Sequence, residues 1–360
     1  MTTSMSAKRA QSHAGPRDLF AVTSHPHIRS YTSLETPAGV VTEGWVRKVG
    51  PAHTVELNGQ EFLLFRGLSS EADVSSFAAT YGLLGLHDAA REQVSVKTNL
   101  RPAWSRALSM PPVHYRPEAE PVADWVRQAG LMDTALGLWG IHGSPQARRA
   151  LLSTCKRLGS TPEGDPLAHQ AELAASSGSW PVRSVLGGAA RAGLRPQVQT
   201  AWSRDLGEST VVEFRPSSWR EYRRAGRVIH RVLRLELAPL GISELLVRLV
   251  NPWLERVPAS LMLEEGRIIP TYVLPGDLLG ILWIQFTNAL LASADPRVCA
   301  WERCPGPPSR PGVFLWRWGR TQTGTKHRDA RYCHPRCQHA AAVDRSRKSP
   351  GSLQRRPADP

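Results

Sequence analysis

The chain of 360 residues has only five cysteines, and its acidic residues, at 31, are far fewer than its 45 lysines and arginines. Five cysteines in a chain of this length exclude the dense disulfide framework of a small secreted scaffold. Long apolar runs are also missing. The longest uncharged one covers residues 278–294 and is interrupted by Gln285, Thr287 and Asn288. A buried helix is therefore a better interpretation than a membrane span, and we expect no membrane contact.

The N-terminus lacks the apolar core that a secretory signal peptide requires. We therefore expect a cytoplasmic protein, in which reduced thiols favour metal binding over disulfides. Common catalytic motifs are missing too, namely a P-loop, G-x-S-x-G, H-E-x-x-H and a glycine-rich dinucleotide fingerprint. These absences predict a protein that is not an enzyme. An enzyme acting from a pocket in the body of the chain is the alternative left open.

Hydrophobic periodicity predicts an α+β fold whose body mixes helices and β-hairpins. The spacing of the cysteines, described below, adds a small C-terminal zinc-binding module that is treble-clef-like. Apolar spacing of i, i+3, i+4 and i+7 predicts a helix from Val74 to Tyr81, capped by Ser69 or Ser70 and stopped at Gly82. Asn58-Gly59 between β-rich runs predicts a hairpin over residues 54–65. Residues 140–200 show too little periodicity to place elements.

Further helices are predicted at residues 122–136, 278–291 and 335–348, and a second hairpin at residues 261–269. Composition suggests how the chain is divided into domains. The predicted units are a mobile arm at residues 1–30, a body at 31–295 with a possible sub-boundary near 101–121, a zinc-finger module at 296–348 and a disordered tail at 349–360.

Four of the five cysteines lie close together near the C-terminus. Cys299 and Cys304 form a C-x4-C pair, and Cys333 and Cys337 form a C-x3-C pair 28 residues further on. Two close pairs joined by a short segment are what a tetrahedral Zn²⁺ site requires. The spacing therefore predicts zinc as the cofactor. The fifth cysteine, Cys155, stands alone and is interpreted as a structural thiol.

One zinc ligand could instead be a histidine, because His327, His334 and His339 lie near the second pair. His334 is the most plausible substitute, since it falls inside that pair. Arginines precede the cysteines at matching positions in both pairs, and they would offset the negative charge of four thiolates. These arginines are Arg297, Arg303, Arg331 and Arg336.

Positive charge is concentrated in the same region. Residues 297–360 contain fourteen basic and four acidic side chains, whereas the rest of the chain is nearly balanced. This excess predicts contact with phosphates of DNA or RNA. The candidate nucleic-acid-binding residues, after setting aside the four arginines beside the cysteines, are Arg317, Arg320, Lys326, Arg328, Arg345, Arg347 and Lys348.

Aromatic residues alternate along residues 313–319, which are predicted to form a strand. Phe314, Trp316 and Trp318 would share one face, as a small core of the module or as a surface that stacks on bases. The first cysteine pair in a loop, the predicted strands after it, and the helix at residues 335–348 would surround one metal ion. This order of loop, strands and helix is typical of a treble clef.

The C-terminal quarter also resembles the zinc-finger module of uncharacterised bacterial proteins related to the CGNR zinc-finger family. The resemblance lies in the cysteine pair 299/304, the aromatic Phe314, and the run R-x-C-x-x-x-C from Arg331 to Cys337. The chain departs from the family signature after Cys337, where it reads Gln-His-Ala rather than Gly-Asn-Arg. The resemblance implies zinc ligation by the four cysteines and a role in DNA binding.

The sequence thus predicts a non-enzymatic zinc protein that binds nucleic acid and has a regulatory role. The alternative is a zinc-stabilised module that docks an acidic protein partner and has no role with nucleic acid. The sequence carries no signal for the oligomeric state.

Overall fold

The computed structural model describes the backbone of most of the body and of the cysteine region. The described residues are 33–57, 59–86, 118–142, 144–159, 179–203, 207–216, 233–236, 246, 249–250, 259–264, 267–272, 277–291, 295–306, 312–316 and 331–348. Helices combine with small antiparallel sheets, so the predicted α+β class is confirmed. Among these residues, no helix is both long enough and apolar enough to cross a membrane.

Within the described ranges, the strands form two three-stranded and two two-stranded sheets. The strands are β1 (Ser33–Thr42), β2 (Trp45–Glu56), β3 (Ala119–Pro121), β4 (Leu194–Ser203), β5 (Gly207–Pro216), β6 (Leu233–Glu236), β7 (Ala259–Glu264), β8 (Arg267–Tyr272), β9 (Asp295–Val298) and β10 (Val313–Trp316). Their orders are β1-β2-β3, β4-β5-β6, β7-β8 and β10-β9, with every pair antiparallel. The hairpin predicted at residues 261–269 is confirmed as β7-β8.

The helices are interspersed with these strands along the sequence. They are α1 (Glu61–Phe65), α2 (Glu71–Tyr81), α3 (Val122–His142), α4 (Pro145–Gly159), α5 (Trp180–Arg191), α6 (Leu278–Leu291) and α7 (Pro335–Lys348). The bounds of α6 and α7 agree with their predictions, and α3 extends further than predicted. Helices α4 and α5 fall in the region where the sequence showed too little periodicity.

Helix α2 begins and ends where its sequence signals predict. The Ser70 hydroxyl accepts a hydrogen bond from the Asp73 N–H at 3.2 Å, and the Asp73 carboxylate accepts one from the Ser70 N–H at 3.0 Å. This reciprocal pair is a capping box. Gly82 ends the helix with a φ of 81°, a conformation that glycine adopts without a steric cost.

The hairpin predicted over residues 54–65 is wrong. Residues Glu61–Phe65 form helix α1, and Phe62, Leu63 and Phe65 are all fully buried. In a strand, Phe62 and Leu63 would face opposite sides. In one helical turn, the side chains of Phe62, Leu63 and Phe65 can all pack into the core. The hairpin in this region is β1-β2, and its turn residues Glu43 and Gly44 both have positive φ, as a two-residue turn requires.

Aromatic rings join three helices at the centre of the core. The ring of Phe286 in α6 makes edge contacts with Phe62 of α1 and Trp139 of α3, each at 5.7 Å between centroids. It also contacts Trp283 of its own helix at 5.8 Å. Such pairs stabilise a core beyond the area that they bury. Cys155 is fully buried in the same core, in agreement with its interpretation as a structural thiol.

Glycines let α3 and α5 pack backbone against backbone. A Cβ atom on Gly188 would lie 2.5 Å from the Gly130 carbonyl oxygen and 2.6 Å from the Thr134 backbone nitrogen. The neighbouring Gly187 has nothing within 4 Å of the corresponding position. The close approach therefore depends on Gly188 and not on its neighbour.

We predict opposite effects for alanine at these two glycines. Gly188→Ala forces a methyl group into the α3 backbone and should lower the free energy of unfolding by about 1–3 kcal/mol or more. Gly187→Ala should raise it by about 0.5–1 kcal/mol, because alanine favours a helix over glycine. Urea denaturation of the two variants measures both. Equal stabilities would contradict this account of the helix pair.

A buried carboxylate holds the loop after α2 against β3. Glu120 is fully buried and accepts hydrogen bonds from the backbone N–H groups of Leu84 at 3.0 Å and Leu86 at 2.7 Å, and from Trp125 Nε1 at 2.9 Å. Burial raises the pKa of Glu120 to about 7, although these donors favour the ionised form.

This raised pKa predicts a pH dependence of stability. Between the ordinary pKa of 4.5 and about 7 the folded protein holds a proton that the unfolded chain has released. Stability should therefore fall as the pH rises through that window, by roughly 3 kcal/mol at about 1.4 kcal/mol per pKa unit. Glu120→Gln should remove this slope. The control Glu118→Gln, at an exposed position two residues earlier, should keep the pH dependence of stability. An unchanged pH dependence in Glu120→Gln would contradict its assignment to Glu120.

Candidate metal centre

The first cysteine pair lies in a turn that follows strand β9. The end of β9 pairs with the start of β10, Val298 opposite Val313. The Cys299 N–H donates to the Gly312 carbonyl at 2.8 Å, and the Cys304 N–H donates to the Trp301 carbonyl at 2.9 Å. The short β9-β10 sheet thus fixes the turn that presents both thiols.

The second pair lies at the N-terminus of helix α7. Cys333 precedes the helix and Cys337 falls in its first turn, four residues later, so both thiols share one side. The Cys337 N–H donates to the His334 carbonyl at 2.9 Å. A backbone hydrogen bond from Ala300 to Arg331, at 2.7 Å, ties the turn of the first pair to the segment that leads into the second.

The four thiols converge on one point. The Sγ atoms of Cys304, Cys333 and Cys337 are 3.6–3.7 Å apart, and all four Sγ atoms lie within 4.8 Å of one another. A disulfide has sulfurs about 2.0 Å apart, so no two of these sulfurs are bonded to each other. A tetrahedral ion with bonds of about 2.3 Å to sulfur would place its ligand atoms about 3.8 Å apart. The cluster therefore has the size of a four-thiolate metal site.

The environment of the cluster opposes four negative charges unless a cation is present. Burial, followed by the charge of Cys299 and Cys304, raises the pKa of the Cys333 thiol far above its ordinary value. Burial is also the largest cause that raises the pKa of Cys304. A bound divalent ion would supply the compensating charge, since metal ligation requires thiolates.

The arginines beside the cysteines only partly fit their predicted role. Arg297 Nε lies 3.0 Å from a carboxylate oxygen of Asp295, and Arg303 Nη1 lies 3.7 Å from a carboxylate oxygen of Asp344. Their charge is thus shared with carboxylates and is not directed at the thiols alone. Arg331 and Arg336 are exposed.

Asp344 joins the two halves of the centre, and sequence reasoning did not single it out. It lies on α7, and its carboxylate accepts a hydrogen bond from Trp301 Nε1 at 2.9 Å, across from the first cysteine pair. The signal that could have found it is an acidic residue in an otherwise basic helix, together with a tryptophan inside the C-x4-C turn. This contact positions α7 against the turn.

Histidine is not part of the ligand group that the described residues form, which consists of the four cysteines. His334 Nδ1 accepts a hydrogen bond from the Arg336 N–H at 3.1 Å, and His339 is exposed on α7. His327 lies outside the described residues. Four cysteines complete a tetrahedral site without any of the three.

The predicted nucleic-acid-binding residues are only partly described. Arg345 and Arg347 are exposed on α7, and Lys348 is the last residue of that helix. Arg317, Arg320, Lys326 and Arg328 lie outside the described residues, as does Trp318.

Strand β10 links the centre to the body. Phe314 is 2% exposed and packs against Cys299, Cys333 and Cys337. Its neighbours Val313 and Leu315 are 3% exposed and belong to the core cluster of the body. Adjacent residues of a strand face opposite sides, so one strand packs on both clusters. Phe314 therefore belongs to the core around the cysteines, as predicted. The boundary of the module at residue 296 stays a prediction.

We predict that removing the metal destabilises the body as well as the centre. Purified, reduced protein should contain one divalent ion per chain, and Cys333→Ser should lose it and lower the melting temperature of the whole chain. Cys155→Ala removes a buried thiol from the core and should keep the ion. Protein without metal under reducing conditions, or a Cys333→Ser variant that retains it, would contradict the assignment.

Comparison of the chain with protein-family models, with curated proteins and with solved structures returns no match. The case for a metal centre therefore rests on the geometry of the four cysteines.

Proposed function

We propose that the four cysteines bind a structural Zn²⁺ and that the region around this ion contacts DNA. Tetrahedral sites made of sulfur alone are typical of zinc or of iron–sulfur centres. Four protein ligands leave no coordination position for water or substrate, which supports a structural rather than a catalytic ion. The chain is proposed to act by binding and not as an enzyme.

The orientation of charge on helix α7 is the observation that carries the DNA-binding proposal. The only acidic residue of this helix, Asp344, is turned toward Trp301 and Arg303 of the first cysteine turn. The buried side of the helix is apolar, with Cys337 and Ala341. Arg345 and Arg347 are exposed. Because they are two residues apart, they project from different sides of the helix, so α7 carries exposed positive charge on both flanks of its buried side, where it can contact phosphates.

The metal would give this surface its shape. A bound ion would hold α7 through Cys333, just before the helix, and Cys337, in its first turn, while Asp344 ties the helix to the first cysteine turn further along. An ordered helix holds its arginines in a fixed arrangement, and contacts of such side chains to phosphates fix the orientation of a protein on DNA. The sequence predicts a regulatory role, and such a role fits DNA binding that occurs only when the ion is present.

We predict that the affinity for duplex DNA falls steeply with salt and depends on α7. Each phosphate contact contributes about 0.9 to the slope of log affinity against log salt concentration. Arg345→Gln combined with Arg347→Gln should therefore reduce that slope by up to about 1.8. Fluorescence anisotropy with a labelled duplex at several NaCl concentrations measures it.

The matched control removes two positive charges from another exposed element, with Arg47→Gln and Lys48→Gln on β2. It should keep the slope of the unmodified protein. If the α7 variant and the control behave alike, the helix does not contact DNA. If no duplex binds at all, the basic surface instead fits the alternative of an acidic protein partner.

A further inference from the structure

A second basic surface lies in the body, where the overall charge is nearly balanced. Helix α4, helix α5 and strand β4 contain no acidic residue between them. The three elements pack against one another. Their exposed basic residues are Arg149, Lys156, Arg157 and Arg183, whereas Arg148 and Arg195 are half-buried and Arg191 is paired with Asp133 of α3 at 2.7 Å. A count of charge over the whole body conceals this excess, because acidic residues elsewhere in the body offset it in the sum.

The charge on α4 is ordered by the way the helix packs. Leu151 and Cys155 are fully buried in the core of the body, and Leu158 is 1% exposed. Arg149 and Lys156 are exposed on the opposite side. They are seven residues apart, which places them on one face and about 10 Å apart along the helix axis. Ser153 lies between them and is also exposed.

The chemistry of this face suits a phosphate backbone. Duplex DNA carries about one charge per 1.7 Å of its axis, so a span of about 10 Å faces about six charges. Lysine, arginine and serine side chains are the usual donors to phosphate oxygens. A membrane surface fits less well, because an interfacial helix inserts large apolar residues, whereas the leucines of α4 are engaged in the core.

The geometry points to the exposed face of α4 as a second contact with DNA phosphates, centred on Arg149 and Lys156. This inference shares its ligand with the function proposed above, but it concerns different residues. It predicts that the body of the chain, and not the metal-bound region alone, contributes to the salt dependence of binding. Contacts to phosphates carry no sequence information, so the contribution should be the same for unrelated duplexes.

The test uses the full-length, metal-loaded protein and labelled duplexes of two unrelated sequences, titrated at several NaCl concentrations. Arg149→Gln combined with Lys156→Gln should reduce the slope of log affinity against log salt by up to about 1.8 for both duplexes. The double variant of Arg47 and Lys48 again serves as the control with the same change in charge. Metal content and melting temperature establish that each variant is folded.

The outcomes separate the two proposals. An α4 variant whose slope equals that of the control overturns this inference, and a reduced slope in the α7 variant then leaves the proposed function intact. If the slope falls in the α4 variant and stays unchanged in the α7 variant, this inference is supported and the role of α7 is overturned. An unmodified protein that binds no duplex overturns both.

A second readout needs no substitution. Chemical acetylation of lysines in the presence and absence of DNA, followed by mass spectrometry, should show protection of Lys156 and none of Lys48. Equal labelling of Lys156 with and without DNA would overturn the contact even if the α4 variant failed to fold.

Discussion

The structure depends on strand β10, because this short strand packs on two clusters at once. Phe314 closes the cysteine cluster, and Val313 and Leu315 fill part of the core of the body. The alternation of side chains along a strand makes this possible within three residues. A metal bound to the cysteines would therefore stabilise more than the loop that carries them. Loss of the ion would remove support from Phe314 and, through the strand, from the core.

Charge in the C-terminal region is arranged around the same centre. Arg297 pairs with Asp295, and Arg303 lies 3.7 Å from Asp344, the one acidic residue of α7, while Arg345 and Arg347 of this helix are exposed. The metal site and the proposed DNA contacts thus share one helix. Cys337 and Ala341 lie on the buried side of α7, and Arg345 and Arg347, which are two residues apart and both exposed, flank that side.

Much of this arrangement follows from local sequence patterns. The capping box of α2, the bounds of α6 and α7, and the four cysteines each have a signal within a few residues, and the structure contains them all. The residues Glu61–Phe65 were predicted incorrectly because an apolar run without alternation has no period to separate strand from helix. In the structure Phe62 of this run packs against Phe286, which is more than 200 residues away in the chain, so its burial depends on tertiary contacts.

Other features have no local signal at all. The contact of Gly130 with Gly188, the buried Glu120, and the link between Trp301 and Asp344 each join segments that are distant in sequence. The basic face of α4 was missed for a related reason, since charge was counted along the chain and not over packed elements. Such features arise from tertiary contacts, which a single sequence does not encode in any short window.

X-ray absorption at the zinc edge of the purified, reduced protein tests the central claim most directly. A site formed by Cys299, Cys304, Cys333 and Cys337 predicts a first shell of four sulfur atoms at about 2.3 Å and no nitrogen or oxygen. A first shell with a nitrogen at about 2.0 Å would show that a histidine has replaced one of these cysteines, and protein without zinc would contradict the account altogether.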